Sequence, residues 1–419
     1  FSSALIRKID VKDTDYNTVF YFNIVISICL YILLWICAPA ISRFFSESLL
    51  IPVIRVLGLV LIINSCSIIQ RTVLVRNIDF KTQTKVSLIA SLVSGGVGIT
   101  MALYHCGVWS LVGQQLSRQF FNSVLLWIYG KWRPLWEFSY KSFKDLFGFG
   151  SKLLLSGLID VFYKNVYYIV IGRYYSATQL GQYTRAEQFS TIFSSNLTSV
   201  VQRVSYPVLS SIQEEPERLR DAYRKIIKVT MLITFALMFG LAAIAKPLIV
   251  ILIGEKWLMA VPFLQIICFS EMLYPLHAIN LNILQVRGYS GLFLKLEIVK
   301  KIIAVIPIMI GIFWGINYML WGAVCISLVS YILNSYYSGR LIDYSTVKQV
   351  KDIFPCFLVS SLVALLMWGI TFLHFNFLVT LLLQVSVGIL LAIVAYERMR
   401  LEEYKEIRRI ILSIIRKNS

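Results

Sequence analysis

Roughly a dozen apolar runs, each close to the length needed to cross a bilayer, leave this chain little room for a soluble fold. Runs such as VLGLVLIINSCSII (56–69) and LLLQVSVGILLAIVAY (381–396) approach the about 20 apolar residues that a spanning helix requires. The 419 residues are 58% hydrophobic and 15% charged, against about 45–50% and about 25% in soluble domains. We place spans at 17–38, 50–69, 86–104, 107–129, 150–172, 178–207, 223–245, 257–286, 296–314, 316–338, 353–374 and 376–396. The expected fold class is all-α and polytopic transmembrane.

The net charge of +18 invites a nucleic-acid reading, but its placement argues against one. Lys and Arg fall mainly in every second loop: RKIDVK, RTVLVRNIDFKTQTK, KWRPLWEFSYKSFK, RLRDAYRK, RGYSGLFLK and RLIDYSTVKQVK precede the odd-numbered spans. The tail ERMRLEEYKEIRRIILSIIRKNS is basic too, whereas the intervening loops hold few cations, among them Arg43, Lys246 and Lys256. The positive-inside rule then puts both ends of the chain in the cytoplasm. The seven cysteines stand singly without a CxxC pair, and the three histidines, at 105, 277 and 374, lie far apart near span ends. Neither a disulfide framework nor a metal centre is expected.

The chain resembles itself. ICAPAISRFF around Pro39 parallels AIAKPLIVIL around Pro247, and IPVIRVLGL parallels AVPFLQIICF. VLVRNIDF parallels LQVRGYSG, and HCGVWSLVG parallels FWGINYMLWG, all at an offset of about 207–211 residues. A fixed period across several spans implies two related halves packed about a pseudo-symmetry axis, as in many transporters. We therefore expect an N-lobe at 1–130, a linker helix in the cytoplasmic interface at 131–149, and a C-lobe at 150–340. Two extra transmembrane helices at 341–396 and a basic amphipathic tail at 397–419 complete the division. Aligned on the second half, the first lacks roughly 60 residues, so the first two of about 14 spans are expected to precede Phe1. Trp136, Tyr140, Phe143 and Phe147 give the linker its apolar stripe; Leu401, Tyr404, Ile407, Ile411 and Ile414 give one to the tail.

Ionisable side chains near mid-membrane cost about 2.5–3.5 kcal/mol each on insertion scales, so they face protein or water and mark function. Arg118 lies halfway along its span with Gln115, Gln119 and Asn122 on its face. Asp160 and Lys164 are spaced to pair with each other across one turn. Glu271 is central in a span carrying Pro262 and Pro275, where kinks open space. The polar span 178–207 carries Arg185, Gln188, Ser195, Ser199 and Gln202 as one stripe, while Arg203 sits near its end. Each residue alone can serve a structural hydrogen-bond network, and Asp160 with Lys164 can simply neutralise one another. Together they suit a shared polar cavity, basic on balance and fit for an anionic, sugar-like headgroup.

LGQYTRAEQF (Leu180 to Phe189) resembles the Leu-Gly-x-Tyr-x-x-Ala segment that follows the seventh span of Wzx-like polysaccharide flippases. FSSALIRK at the start and GVWSLVGQQL also resemble that family, which shares a superfamily with multidrug-and-toxin extruders and lipid II flippases. The resemblance implies a MATE-like fold of two six-helix lobes plus two helices, in the bacterial inner membrane. It implies a substrate of oligosaccharide on polyprenyl diphosphate, moved outward for capsule, exopolysaccharide or O-antigen assembly, with a polymerase and chain-length machinery as further partners. Arg118, Lys164 and Arg185 are then expected to hold the diphosphate, and Gln115, Gln119, Gln188, Ser199 and Arg203 to line its path. Asp160 and Glu271 are candidates for H⁺ or Na⁺ coupling, with no other cofactor expected. Membrane potential is the alternative energy source, since two negative charges moving outward gain about 4.6 kcal/mol per 100 mV. A drug extruder on the same fold is disfavoured by the basic cavity. A membrane polymerase or ligase is disfavoured because no large loop or convergent His/Asp/Glu set offers a catalytic site.

Overall fold

The computed structural model describes residue 5 and residues 11–77, 79–130, 132–399, 403–405 and 408–409. Within the helices, the side chains at 145–157, 159, 160, 163, 164, 207 and 290 lie outside that description. The described chain is helical and contains no strand. Each expected span falls on a helix or a broken pair: α1 (Asp13–Phe45), α2 (Leu50–Leu57) with α3 (Leu59–Arg76), α4 (Phe80–Leu103), α5 (Val108–Tyr129), α6 (Tyr140–Tyr174) and α7 (Ala177–Ser211). Beyond them run α8 (Pro216–Ile253), α9 (Ala260–Glu271), α10 (Tyr274–Val286), α11 (Ser290–Ile303), α12 (Val305–Trp314), α13 (Ile316–Leu341), α14 (Thr346–Gly369) and α15 (Phe377–Arg398).

The breaks have local causes. Pro275 has no N–H to give the Glu271 carbonyl and its ring crowds that carbonyl, so α9 stops at Glu271 and α10 starts three residues on. Pro307 acts in the same way between α11 and α12. At Gly58, between α2 and α3, a Cβ would lie 2.9 Å from the Tyr31 ring, so only glycine lets α1 come this close. Pro39, Pro247 and Pro355 stay inside helices, as neighbouring helices in a membrane allow.

Among the described residues, seven segments are long and apolar enough to cross a bilayer on composition alone: Asp13–Phe45, Leu50–Arg76, Phe80–Leu103, Pro216–Ile253, Ile316–Leu341, Thr346–Leu373 and Phe377–Arg398. Of the other expected spans, α5 and α7 are polar and the one over α9 and α10 is broken, and these carry Arg118, Arg185 and Glu271; Asp160 and Lys164 lie on α6, their side chains outside the described residues. Large apolar side chains remain exposed along the apolar helices, for example Leu362, Leu365 and Leu366 on α14 and Ile389, Leu390 and Ile393 on α15. Such a belt is the surface that lipid covers.

The chain forms two compact units, Phe1–Asn165 and Val166–Ser419. In the first, α4 pairs with α5, and α3 packs between α1 and α5 around Val19, Phe20 and Ile69. The expected linker helix at 131–149 is not what forms. Residues 132–139 are non-helical, because Pro134 interrupts the ladder and restrains Arg133 to extended backbone. The segment is moored to α1 instead. The Leu135 N–H donates to Asn17 Oδ1 at 3.0 Å and the Ser139 N–H to Thr18 Oγ1 at 3.0 Å. Trp136 stacks on Tyr21 with centroids 5.4 Å apart, and from Tyr140 the chain is helical straight into the span.

In the second unit α8 is the axis. Tyr223, Ile227, Met231, Phe235 and Met238 bury one face of it against α9, α10 and α14. Phe357 of α14 meets Phe235 and Phe239 edge-on at 5.4 and 5.2 Å. The two extra helices at 341–396 pack into this unit. With lipid outside, close packing and interhelical hydrogen bonds rather than hydrophobic burial hold such helices together. Asn280 of α10 accepts from the Tyr223 hydroxyl at 2.8 Å and from the Ser338 hydroxyl at 2.5 Å, joining α8, α10 and α13. Of the expected tail, the described residues fold back: Glu403 is 5% exposed and pairs with Lys228, and Tyr404 packs on Tyr396.

Candidate functional site: a two-faced polar helix and two half-buried carboxylates

The polar helix α7 starts with a capping box, in which the Ser176 hydroxyl accepts from the Gln179 N–H and the Gln179 side chain accepts from the Ser176 N–H. Along it, two polar faces are separated by burial. Arg185, Gln188, Ser195, Gln202 and Arg203 are exposed, with Ser199 half-buried beside them. The opposite face buries Gln182, Tyr183, Ala186, Ser190, Ser194, Thr198, Ser205 and Leu209. Small hydroxyl residues recur there at helical spacing, which lets a polar helix lie close against α9 and α10.

Arg185 is held in place. Its guanidinium donates to Gln188 Oε1 at 2.8 Å and lies 5.5 Å from the Trp257 ring centroid, a cation–π contact. Trp257 is fixed nearby because Gln182 donates to the Lys256 carbonyl at 2.8 Å. In the first unit, Gln119 donates to Asn64 Oδ1 at 2.8 Å, linking α5 to α3. Arg118 and Gln115 are exposed and have no hydrogen-bond or ion-pair partner among the described residues. Asn122, on the same stretch, is buried. Arg203 is likewise exposed without such a partner. The Asp160 and Lys164 side chains, and so their expected pairing, lie outside the described residues.

Glu271 is the expected site residue whose surroundings are best defined. It ends α9 at the break, and the Ser194 hydroxyl of α7 donates to its Oε2 at 2.5 Å. A second carboxylate, Glu187, lies close enough to interact with it electrostatically. Glu187 accepts from the Tyr168 hydroxyl of α6. Tyr183 packs edge-on against Tyr168 at 5.7 Å and feels both carboxylates. Ser190, fully buried, has no hydrogen-bond partner for its hydroxyl among the described residues. Two carboxylates, each supplied with a hydroxyl donor, thus stand where α7 packs on α6 and α9.

Glu187 was not singled out from the sequence, although it stands inside LGQYTRAEQF. Its signal was the spacing of Tyr183, Glu187, Ser190, Ser194 and Thr198 along one side of a helix. His277 was also passed over; it bridges α10 and α13, with its ring nitrogens 3.2 Å from the Ser327 hydroxyl and 3.4 Å from the Asn334 amide. Among the described residues no group of three or more His, Cys, Asp or Glu is placed to hold a metal ion.

A multi-pass helical protein that sets ionisable side chains on α5, α7 and α9, inside expected spans, has the architecture of a carrier for polar cargo. The chain belongs to the polysaccharide biosynthesis protein family, whose model matches residues 1–262. It is 25% identical over 393 residues to the teichuronic acid biosynthesis protein TuaB of Bacillus subtilis, covering 93% of this chain and 81% of the relative. It is 23% identical over 270 residues to the succinoglycan biosynthesis transport protein ExoT of Rhizobium meliloti, covering 64% of this chain and 55% of that one. Its fold is that of the lipid II flippase MurJ in an inward closed conformation, with a TM-score of 0.73, 14% identity, and coverage of 96% of this chain and 88% of MurJ.

Proposed function

We propose that this protein is a flippase for a lipid-linked oligosaccharide, moving a polyprenyl-diphosphate-bound repeat unit from the cytoplasmic to the outer leaflet for surface polysaccharide assembly. One observation carries the reading: α7 turns an exposed row of Arg185, Gln188, Gln202 and Arg203 away from a packed face, inside a fold shared with a lipid II flippase. Sugar hydroxyls stripped of water cost several kcal/mol each on the harsher transfer scales. A row of amides and guanidinium groups replaces that water. Guanidinium also forms charge-assisted, bidentate hydrogen bonds to phosphate oxygens, and Arg185, steadied by Gln188 and Trp257, is the group we assign to the diphosphate. Arg118 and Lys164 are assigned the same role, with Gln115, Gln119 and Ser199 beside the headgroup's route. The apolar tail stays in the bilayer throughout. The named functions of TuaB and ExoT in polysaccharide biosynthesis support this cargo.

In this reading the Glu187–Glu271 pair takes up H⁺ or Na⁺ as the coupling ion, and its occupancy biases which side of the membrane the carrier faces. The test is a lipid extract from cells lacking the protein. Complete repeat units on polyprenyl diphosphate should accumulate, facing the cytoplasm. Units that reach the outer leaflet but stay unpolymerised would instead make the protein a polymerase.

A further inference from the structure

Where α8 and α14 begin, their first turns and the loop at 342–345 enclose a cavity of about 380 Å³. Its floor is saturated. Arg224 grips Asp352 through two hydrogen bonds, and the Tyr344 hydroxyl donates to the same carboxylate at 2.7 Å. The rim is not. Arg220 meets Asp221 and Asp343 only at 3.8 and 3.7 Å, and Lys348 reaches the Asp343 carboxylate only at 3.9 Å while donating a long 3.4 Å hydrogen bond to the Asp343 main-chain carbonyl. Lys351 is exposed and has no hydrogen-bond or ion-pair partner among the described residues. Asp343 stands on left-handed backbone at φ 51° with its side chain 83% exposed.

The rim thus sets three weakly paired cations around Asp343, itself weakly paired, with Asp221 beside Arg220 at the outer edge. It lies at the level where both helices pass from charged to apolar sequence, Arg224 to Met231 on α8 and Asp352 to Leu358 on α14, which is where phospholipid headgroups sit. Basic pockets between transmembrane helices at this level hold lipid phosphates. A purely anionic headgroup would leave Asp343 repelled. A quaternary ammonium would offer that carboxylate no N–H. We propose that this cavity binds the phosphoethanolamine headgroup of a bilayer phospholipid, the phosphate taking Arg220, Lys348 and Lys351 and the primary ammonium taking Asp343. Such a headgroup clasps the ends of α8 and α14 from outside, while Arg224 and Asp352 join them from within.

The test is native mass spectrometry of the full chain in detergent, titrated with phosphatidylethanolamine, phosphatidylcholine or phosphatidylglycerol of the same acyl chains. Phosphatidylethanolamine should be retained about fivefold or more over either competitor. Lys351→Gln, at a side chain with no partner to lose, should cut that retention about threefold or more. Asp343→Asn should bring phosphatidylethanolamine down to the level of phosphatidylcholine. Equal retention of the two by the native protein overturns the proposal, as does a phosphatidylethanolamine preference that survives Lys351→Gln, or a preference for phosphatidylglycerol. A Lys351-dependent rise in Tm with inorganic phosphate, in the absence of any such rise with phosphatidylethanolamine, assigns the rim to free phosphate and overturns the lipid occupant.

Discussion

Arg224 and Asp352 join α8 to α14 by two parallel hydrogen bonds, Nε to Oδ2 at 2.5 Å and Nη2 to Oδ1 at 2.7 Å. The carboxylate side chain is 13% exposed and the guanidinium 50%, so water screens one partner and not the other. Asp352→Asn should lower stability by on the order of 1–2 kcal/mol, above a surface pair and below a buried one. Thermal unfolding in detergent should show Arg224→Gln adding little to Asp352→Asn, since both remove the same contact. Additive losses would mean that the two residues act separately.

Lys228 makes a stricter demand on the chain's end. Its ammonium is 21% exposed and its partner, Glu403, only 5%. Glu403→Gln leaves a mostly buried cation unpaired and should cost about 3 kcal/mol, read as a fall in Tm; replacing both residues by Met should recover most of it. A Tm that ignores Glu403→Gln would mean that the tail contact adds nothing to the fold.

Gly339 is a steric test of the α13–α14 corner. A Cβ there would sit 2.6 Å from the Tyr344 carbonyl oxygen, which is backbone and cannot swing aside. Gly339→Ala should therefore destabilise by about 1–3 kcal/mol through forced backbone shifts. Gly113→Ala is a useful contrast, because the atoms it meets are the sulfur and methyl at the far end of the flexible Met101 side chain, and its loss should be visibly smaller.

Glu271→Gln separates ion coupling from folding. The amide keeps an acceptor for the Ser194 hydroxyl but cannot carry the charge. Flipping driven by an imposed proton or sodium gradient should fall about tenfold or more, while Tm stays within a few degrees. Glu187→Gln should act in the same direction. Unchanged gradient-driven transport in both variants would transfer the energy source to membrane potential.

Arg185→Ala should reduce lipid-linked oligosaccharide transport about tenfold or more, and Arg185→Lys should restore only part of it. Lysine keeps the charge but loses the planar fork that Gln188 and Trp257 orient. Gln188→Ala, measured in the same leaflet assay, should show a smaller loss. Full activity of Arg185→Ala would remove this residue from the cargo route.

The membrane spans were legible because apolar length and alternating charge are written directly into the chain, and the break before Pro275 followed from proline chemistry, whereas Pro262 falls in the first turn of α9 and breaks nothing. The linker around Trp136 was misread for a definite reason. Its aromatic spacing suits a helix, but Pro134 and the mooring of Leu135 and Ser139 on Asn17 and Thr18 need a partner 118 and 121 residues away. The site divided along the same line. Glu271 stood out as a lone charge in an apolar run. Glu187 was hidden among the many polar residues of α7, where only the pattern of its neighbours separates the buried face from the exposed one. Contacts such as Trp257 against Arg185 join distant stretches, and periodicity has no means to announce them.

The break between α9 and α10 gives Glu271 a double identity. As the last residue of one half-helix it presents a carboxylate, and because Pro275 cannot bond its carbonyl it also presents a main-chain oxygen outside the regular ladder. Charge and joint therefore coincide in a single residue. In the proposed coupling, an ion bound there would sit at the joint between two rods of helix, each more than ten residues long. Under that proposal, exchange of one ion would be read out as leverage, set by nothing more than the length of the arms.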